Sequence, residues 1–126
     1  MPGDQTISFK DMCARFDVTP RTLRYYEYLE LLSPQRQGRL RFYTPREVAR
    51  MTLILRGRRF GFSLEEIRQW LLIYEQKGSR EQYQVWLDLA DRQLVVLDRQ
   101  ITDLQAARAD LMALRDTVAR DLREMG

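Results

Sequence analysis

Apolar residues recur along most of the chain at the three- and four-residue spacing of amphipathic helices. The first such stripe comprises Phe9, Met12, Cys13 and Phe16, which predicts a short helix with one face turned toward a core. Cys13 lies inside that stripe, and a free cysteine in apolar surroundings is usually buried and unreactive. We therefore expect Cys13 to serve packing and not redox sensing.

Helix starts are marked by hydroxyl side chains that can cap a first turn. Four of the five candidates also have an acidic or amide side chain three positions later, as in a capping box. The five sites are Ser8, Thr19, Thr44, Ser63 and Ser79. Pro20 and Pro45 follow two of them directly, at a position where the missing N–H of proline costs nothing. The chain is therefore predicted to be mainly α, with five helices.

The first two predicted helices are separated only by Asp17 and Val18. Two short helices joined by so tight a turn are typical of a helix-turn-helix, in which the second helix enters the major groove of DNA. That second helix carries the segment RTLRYYE, residues 21 to 27. At 100° per residue its basic and aromatic side chains share one face, whereas Leu23 and Tyr26 point toward the first helix. The side chains on this basic and aromatic face are Arg21, Arg24, Tyr25 and Tyr28.

A short β-hairpin is predicted after this helix, because the alternating segment from Leu40 to Tyr43 follows a tip that contains Gly38. Three arginines decorate the hairpin, namely Arg36, Arg39 and Arg41. The hairpin would therefore form a basic wing beside the basic helix, and both could grip phosphates.

Two more helices are predicted between the hairpin and residue 75, separated by Gly61. The buried face of the third helix is predicted to comprise Val48, Met51, Thr52 and Leu55, and that of the fourth Leu64, Ile67 and Leu71. Gly57 lies inside the third helix, where glycine costs about 1 kcal/mol relative to alanine.

One long helix is predicted from about residue 80 to 124, with an apolar seam of coiled-coil spacing. The seam residues expected to mediate dimerisation are Leu87, Leu94, Leu97, Ile101, Leu104, Leu111 and Val118. A domain of this size cannot cover so long a stripe, so a second copy is the natural partner. Folding of the helix back on its own chain is the alternative.

Charge divides the chain unevenly. Residues 1 to 61 contain 12 Lys or Arg and 6 Asp or Glu, whereas residues 62 to 126 contain 9 and 12. A net charge of +6 in the front half favours a polyanionic partner such as double-stranded DNA.

With no histidine and one cysteine, catalysis, a metal site and a cofactor are not expected. The N-terminus lacks signal-peptide features and no segment could span a membrane, so a cytoplasmic protein is expected.

Three segments occur in the order and spacing of the MerR family of bacterial transcription regulators: TPRTLRYYEYLELL, an Arg-rich wing ending in RFY, and RRFGFSLEEI. The chain resembles that family over roughly residues 5 to 75 by motif and beyond by architecture. The resemblance implies a winged helix-turn-helix homodimer with antiparallel dimer helices. Such a dimer binds a near-palindromic promoter element, often untwisting it for RNA polymerase.

The resemblance also implies roles for particular residues. Arg24 and Tyr25 would contact DNA from the recognition helix, Arg41 and Tyr43 from the first wing, and Arg58 and Arg59 near the second wing. With the residues identified above, the predicted DNA-binding set is Arg21, Thr22, Arg24, Tyr25, Tyr28, Arg36, Arg39, Arg41, Tyr43, Arg58 and Arg59.

The chain departs from the family pattern where the recognition helix ends. Glu30 occupies a position where the family usually has glycine in a left-handed turn. Either Glu30 keeps that conformation at a cost of about 1 kcal/mol, or the helix ends differently. Arg39 and Leu40 also replace a usual Gly-Tyr pair, which leaves the shape of the wing tip open.

The predicted organisation is a DNA-binding domain at residues 1–75 and a linker with a dimerisation helix at residues 76–126, without a separate effector domain.

The resemblance disfavours metal and redox sensing. The family members that sense metals or redox state carry several cysteines near the end of the dimer helix, whereas this chain has no cysteine after Cys13. The effector is unknown, and a cluster of Trp70, Tyr74, Tyr83 and Trp86 is one candidate site for a small ligand or a protein partner. Two alternatives remain open: an architectural or excisionase-like DNA-bending protein, and a coiled-coil adaptor with a basic head.

Overall fold

A computed structural model of the protein describes residues 5–126, and the fold is mainly α. Its helices are α1 (Phe9–Phe16), α2 (Pro20–Tyr28), α3 (Pro45–Phe60), α4 (Leu64–Gln76) and α5 (Arg80–Glu124). Its strands are β1 (Ile7–Ser8), β2 (Gln35–Gln37) and β3 (Leu40–Tyr43). The chain separates into two compact units, divided between Tyr83 and Gln84.

All five predicted helix caps are confirmed. In each, a hydroxyl oxygen accepts a hydrogen bond from the backbone N–H three residues later, and the capping residues are Ser8, Thr19, Thr44, Ser63 and Ser79. Two of the caps are reciprocal. The Glu66 carboxylate accepts from the Ser63 N–H at 2.8 Å, and the Gln82 amide oxygen accepts from the Ser79 N–H at 2.7 Å.

The predicted hairpin is part of a three-stranded antiparallel sheet with the order β1-β3-β2. Its turn is tight, because Gln37 pairs with Leu40 and only two residues lie between them. The first of these, Gly38, has a φ of 60°, and Arg39 does not share this left-handed conformation. This combination is typical of a type II′ turn. β1, which the sequence did not reveal, pairs Ile7 with Tyr43.

The core of the first unit is formed by side chains from α1 to α4, the loop after α2 and β3. The largest of those that are fully buried are Met12, Leu23, Leu31, Leu32, Tyr43, Met51, Ile54, Ile67 and Leu71. Leu23 and Tyr26 are both buried, as predicted from the helical periodicity. The predicted buried face of α3 is partly wrong, because Thr52 is exposed whereas Leu53 and Ile54 are buried. Thr52 instead donates its hydroxyl to the Val48 carbonyl of its own helix.

The glycine inside α3 has a packing reason. Gly57 is buried against α4, and a Cβ atom at this position would lie 2.6 Å from Cγ1 and 3.0 Å from Cδ1 of Ile67. Carbon atoms pack best at about 3.5–4.0 Å, so alanine would require the two helices or the Ile67 side chain to shift. Gly57 therefore allows α3 and α4 to approach closely, and this packing offsets the intrinsic cost of glycine in a helix.

Helix α2, the predicted recognition helix, is followed by Glu30 in the left-handed conformation, with a φ of 61°. The Leu31 N–H donates to the Tyr26 carbonyl and the Glu30 N–H to the Glu27 carbonyl, each at 3.0 Å. These two hydrogen bonds define a Schellman motif, in which glycine usually occupies the left-handed position. Of the two possibilities left open by the sequence, Glu30 keeps the conformation, at a cost of about 1 kcal/mol.

A buried carboxylate joins the loop after α2 to the start of α3. Glu47 is 3% exposed, and its Oε2 accepts a hydrogen bond from the Ser33 N–H at 3.1 Å. Arg50 extends the network, because its Nε lies 3.8 Å from Oε2 of Glu47 and donates to the Leu31 carbonyl at 2.9 Å, while its Nη1 donates to Glu75 at 2.7 Å. The end of α4 is thereby fixed to α3 and to the segment that follows the recognition helix.

Helix α5 contains 45 residues, none of them buried. Six of the seven predicted seam residues are at least half exposed in the single chain, from Leu87 at 50% to Leu104 at 70%; Leu97 is of intermediate exposure. Within residues 5–126, no helix is long and apolar enough to cross a membrane.

Candidate nucleic-acid interface

The recognition helix, α2, presents its basic face outward. Arg21 and Arg24 are exposed, Tyr25 is 50% exposed, and Tyr28, the last helical residue, is 81% exposed. The opposite face is anchored in the core, so the helix has little freedom to rotate about its axis. Thr22 is half-buried, and its hydroxyl accepts a hydrogen bond from the Thr19 hydroxyl at 3.0 Å as part of the helix cap.

A groove of about 610 Å³ lies between α2 and the junction of α3 and α4. Most of its lining consists of arginine and aromatic side chains, and the lining residues are Arg21, Thr22, Arg24, Tyr25, Tyr26, Arg58 and Leu64. Four residues predicted on the recognition helix and one from the second wing therefore meet at one surface. Guanidinium groups around an open groove suit contacts with phosphate oxygens or base edges.

The second wing is the junction between α3 and α4, where the chain reverses at Gly61 with a φ of 91°. Arg58 and Arg59 are exposed in the last turn of α3, immediately before this reversal. Arg58 lines the groove, whereas Arg59 does not.

The first wing is the hairpin of β2 and β3, and its arginines differ in their surroundings. Arg36 and Arg39 are exposed, and Leu40, next to the turn, is 61% exposed. Arg41 is instead half-buried, with Nε 3.3 Å from Oε1 of Glu27 and a side-chain exposure of 27%. The wing therefore has an exposed basic tip and a more rigid base, where Arg41 is tied to the recognition helix.

Tyr43 does not occupy the position expected of a DNA contact. It has no exposed surface, and its hydroxyl donates a hydrogen bond to Oε2 of Glu27. Burial raises the pKa of the Tyr43 hydroxyl, and the hydrogen bond to Glu27 raises it further, so the side chain remains a neutral donor. The family resemblance implied a DNA contact for Tyr43, but β3 turns this side chain into the core. We therefore withdraw Tyr43 from the candidate DNA-binding set.

Glu27 and Phe9 link the wing to the recognition helix, although the sequence indicated no role for Glu27 and only a core-facing position for Phe9. The carboxylate of Glu27 receives both Arg41 and Tyr43. The ring of Phe9 lies under two guanidinium groups, with its centroid 6.0 Å from Cζ of Arg24 and 5.4 Å from Cζ of Arg41. One feature of the sequence could have indicated this role, because Glu27 is the only acidic residue in the basic segment RTLRYYE. Its partners, Arg41 and Tyr43, belong to a strand that is distant in the sequence, so the contacts themselves could not be predicted.

Cys13 is half-buried on α1. Burial raises the pKa of its thiol, against an opposing effect of the nearby Arg24. A raised pKa disfavours the reactive thiolate, which supports the packing role predicted for this residue. Within the part of the chain that the structure describes, no group of three His, Cys, Asp or Glu side chains could hold a metal ion.

Two protein-family models match the chain. The model for the MerR HTH family regulatory protein matches residues 7–72, and the model described as MerR, DNA binding matches residues 48–114. Together they span the recognition helix, both wings and much of α5.

Curated relatives include the HTH-type transcriptional regulator HmrR of Rhizobium leguminosarum bv. viciae, which is 38% identical over 98 residues. That alignment covers 77% of this chain and 74% of HmrR. The HTH-type transcriptional regulator ZntR of Escherichia coli strain K12 is 31% identical over 102 residues, covering 79% of this chain and 72% of ZntR.

A similar fold occurs in the crystal structure of HiNmlR, a MerR family regulator lacking the sensor domain, bound to promoter DNA. The TM-score is 0.63 at 20% sequence identity, and the match covers 79% of this chain and 76% of HiNmlR. At this identity the comparison establishes the fold.

Proposed function

Because the chain belongs to the MerR family of bacterial transcription regulators, we propose that it binds a near-palindromic promoter element as a homodimer and regulates transcription by distorting that DNA. Two recognition helices would enter successive major grooves about one helical turn apart, and the wings would grip the flanking backbone. The protein would act in the cytoplasm, on promoters used by RNA polymerase. Neither an enzymatic activity nor a cofactor is part of the proposal.

The observation that carries this proposal is the groove beside α2. It brings Arg24 and Tyr25 of the recognition helix together with Arg58 of the second wing, although Arg58 is more than 30 residues away in the chain. Arginine can form two parallel hydrogen bonds to guanine or to a phosphate, and tyrosine can donate its hydroxyl to a phosphate. An adaptor protein would have no need of such convergence.

The homodimer is proposed from α5. Its apolar seam is exposed in the single chain, and an apolar row of this length is normally covered by another helix. Sedimentation of the full chain should give twice the chain mass. Leu104→Asp, in the centre of the seam, should shift the protein toward monomer, whereas Thr102→Asp, beside it, should not. A monomeric wild-type chain at micromolar concentration would contradict the dimer.

The first experiment is selection of bound sequences from a random duplex library at about 0.15 M salt, followed by titration of the selected site against scrambled DNA. An inverted repeat preferred by at least about 10³-fold would support a promoter-specific regulator. Salt-sensitive binding without a motif would favour the architectural alternative. Absence of DNA binding at this salt concentration would leave the coiled-coil adaptor as the better account.

Arginines that read bases can be separated from arginines that grip the backbone. Arg24→Ala should cost about 1–3 kcal/mol on the selected site if Arg24 contacts a base. Arg59→Ala should weaken the selected and scrambled duplexes by the same factor and flatten the salt dependence. Identical behaviour of the two variants would refute this division of roles.

Regulation itself requires a functional test. Transcription in vitro from a promoter that carries the selected site, with purified RNA polymerase, should change when the protein is added. A protein that binds and bends this promoter without altering transcription would be the excisionase-like alternative.

A further inference from the structure

A buried acidic side chain lies on α2, beside the exposed basic and aromatic side chains of that helix. Glu27 belongs to α2, and its side chain is only 8% exposed, although Arg24 and Tyr25 on the same helix are exposed. An acid so close to a DNA-binding face repels phosphates and should weaken binding, unless it performs a task that offsets this repulsion. Its contacts identify that task.

Both carboxylate oxygens of Glu27 are engaged by β3. Oε1 lies 3.3 Å from Nε of Arg41, an ion pair without hydrogen-bond geometry, and Oε2 accepts a hydrogen bond from the Tyr43 hydroxyl. Tyr43 is fully buried and paired with Ile7 of β1, so it holds the carboxylate from a rigid position. Glu27 is thus fixed by the core and in turn fixes the guanidinium of Arg41.

The second constraint on Arg41 is the ring of Phe9. The ring centroid lies 5.4 Å from Cζ of Arg41 and 6.0 Å from Cζ of Arg24. One aromatic ring therefore supports a guanidinium from the wing and another from the recognition helix. Together, Phe9 and Glu27 restrict the long side chain of Arg41, which would otherwise lose more rotamer freedom on binding DNA.

We infer that Glu27 is a positioning residue of the DNA-binding surface: it holds Arg41 of the wing beside Arg24 of the recognition helix, so that both reach the duplex in a fixed register. This inference rests on the proposed DNA-binding function and adds a residue that does not touch DNA. The opposing view is that Glu27 is only a negative charge near the phosphates, and the two views predict changes of opposite sign.

The test is the affinity of full-length Glu27→Gln for the selected duplex, measured from about 0.05 to 0.3 M salt. Glutamine preserves size but loses the charge that holds Arg41. If Glu27 positions Arg41, binding should weaken about five- to tenfold on both selected and scrambled DNA, and the salt slope should fall by roughly 0.9, as expected for one lost phosphate contact. If Glu27 is only a charge, binding should tighten instead.

Two controls isolate the mechanism. Glu30→Gln removes the same charge from an exposed side chain three residues away, and it should leave the affinity unchanged or raise it slightly. In an Arg41→Ala background, Glu27→Gln should have no further weakening effect, because the positioned group is absent. Weakening that persists in full in that background would overturn the inference.

Tyr43→Phe provides a second route if Glu27→Gln does not fold. It keeps the charge of both Glu27 and Arg41 but removes the hydroxyl that holds Oε2. Binding should weaken in the same direction, again only when Arg41 is present, and wild-type affinity of a folded Tyr43→Phe protein would overturn the inference. If the wild-type chain binds no duplex, the proposed function fails; if it binds and these variants match it, only the inference about Glu27 fails.

Discussion

Replacement of Gly57 by alanine should destabilise the protein, against the intrinsic preference of helices. In an exposed helix, alanine is favoured over glycine by about 0.8–1.0 kcal/mol. At Gly57, however, the new Cβ would lie 2.6 Å from Cγ1 of Ile67, roughly 1 Å closer than carbon atoms pack. Overpacking of a core by one methyl group typically costs about 1–3 kcal/mol. The difference predicts a net loss of about 1 kcal/mol.

The assay is equilibrium unfolding in urea at one fixed chain concentration, because a dimer makes apparent stability depend on concentration. Thr52 provides the matched control, since it is exposed on the same helix. Thr52→Ala should be more stable than Thr52→Gly by about 1 kcal/mol, which measures the intrinsic preference in this helix.

The contact with Ile67 can be tested by a double-mutant cycle. Ile67→Ala alone should cost about 2–5 kcal/mol, because this side chain is fully buried. In that background Gly57→Ala should become stabilising, since the clash is gone and the methyl group fills part of the cavity. If Gly57→Ala stabilises the wild-type chain by as much as the Thr52 pair differs, close packing of α3 and α4 is not the reason for glycine at this position.

Three further predictions concern stability. Glu30→Gly should stabilise the protein by up to about 1 kcal/mol in urea unfolding, because glycine adopts the left-handed conformation without strain; a destabilised variant would contradict this reading of the helix end. Glu47→Gln should cost about 1–3 kcal/mol in the same assay, since it weakens the buried contacts with Ser33 and Arg50, and a neutral result would show that the network contributes little. The raised pKa of Tyr43 predicts a pH effect: above the ordinary value of 10.0 the unfolded state loses this proton and the folded state keeps it, so stability falls as pH rises. That loss should reach about 1.4 kcal/mol between pH 9 and 11 and be absent from Tyr43→Phe; parallel stability curves for the two proteins over this range would refute it.

Local signals predicted the helices well, because the groups that cap a helix lie within four residues of each other. Ser63 and Glu66 satisfy each other without help from the rest of the chain, and Pro45 has the backbone angle of a first helical turn by itself. The exposed arginines of α2 followed from periodicity, because Leu23 had to face the core.

The parts that could not be predicted depend on pairing between distant segments. β1 contains two residues, and only its pairing with β3 makes it a strand. The buried face of α3 was misassigned at Thr52 because this helix packs against both α4 and β3, which broadens its apolar surface beyond one stripe. Tyr43 alternates with Phe42 along β3, but alternation does not reveal which side of a short strand faces the core.

The exposed seam of α5 also has a quantitative consequence for how the gene product would respond to its own abundance. If two chains must join before a palindrome can be bound, then below the dissociation constant of the pair the active species varies with the square of chain concentration. A tenfold fall in synthesis would then reduce the active species roughly a hundredfold. The apolar seam of this 45-residue helix would then make promoter occupancy change more steeply than the amount of protein in the cell.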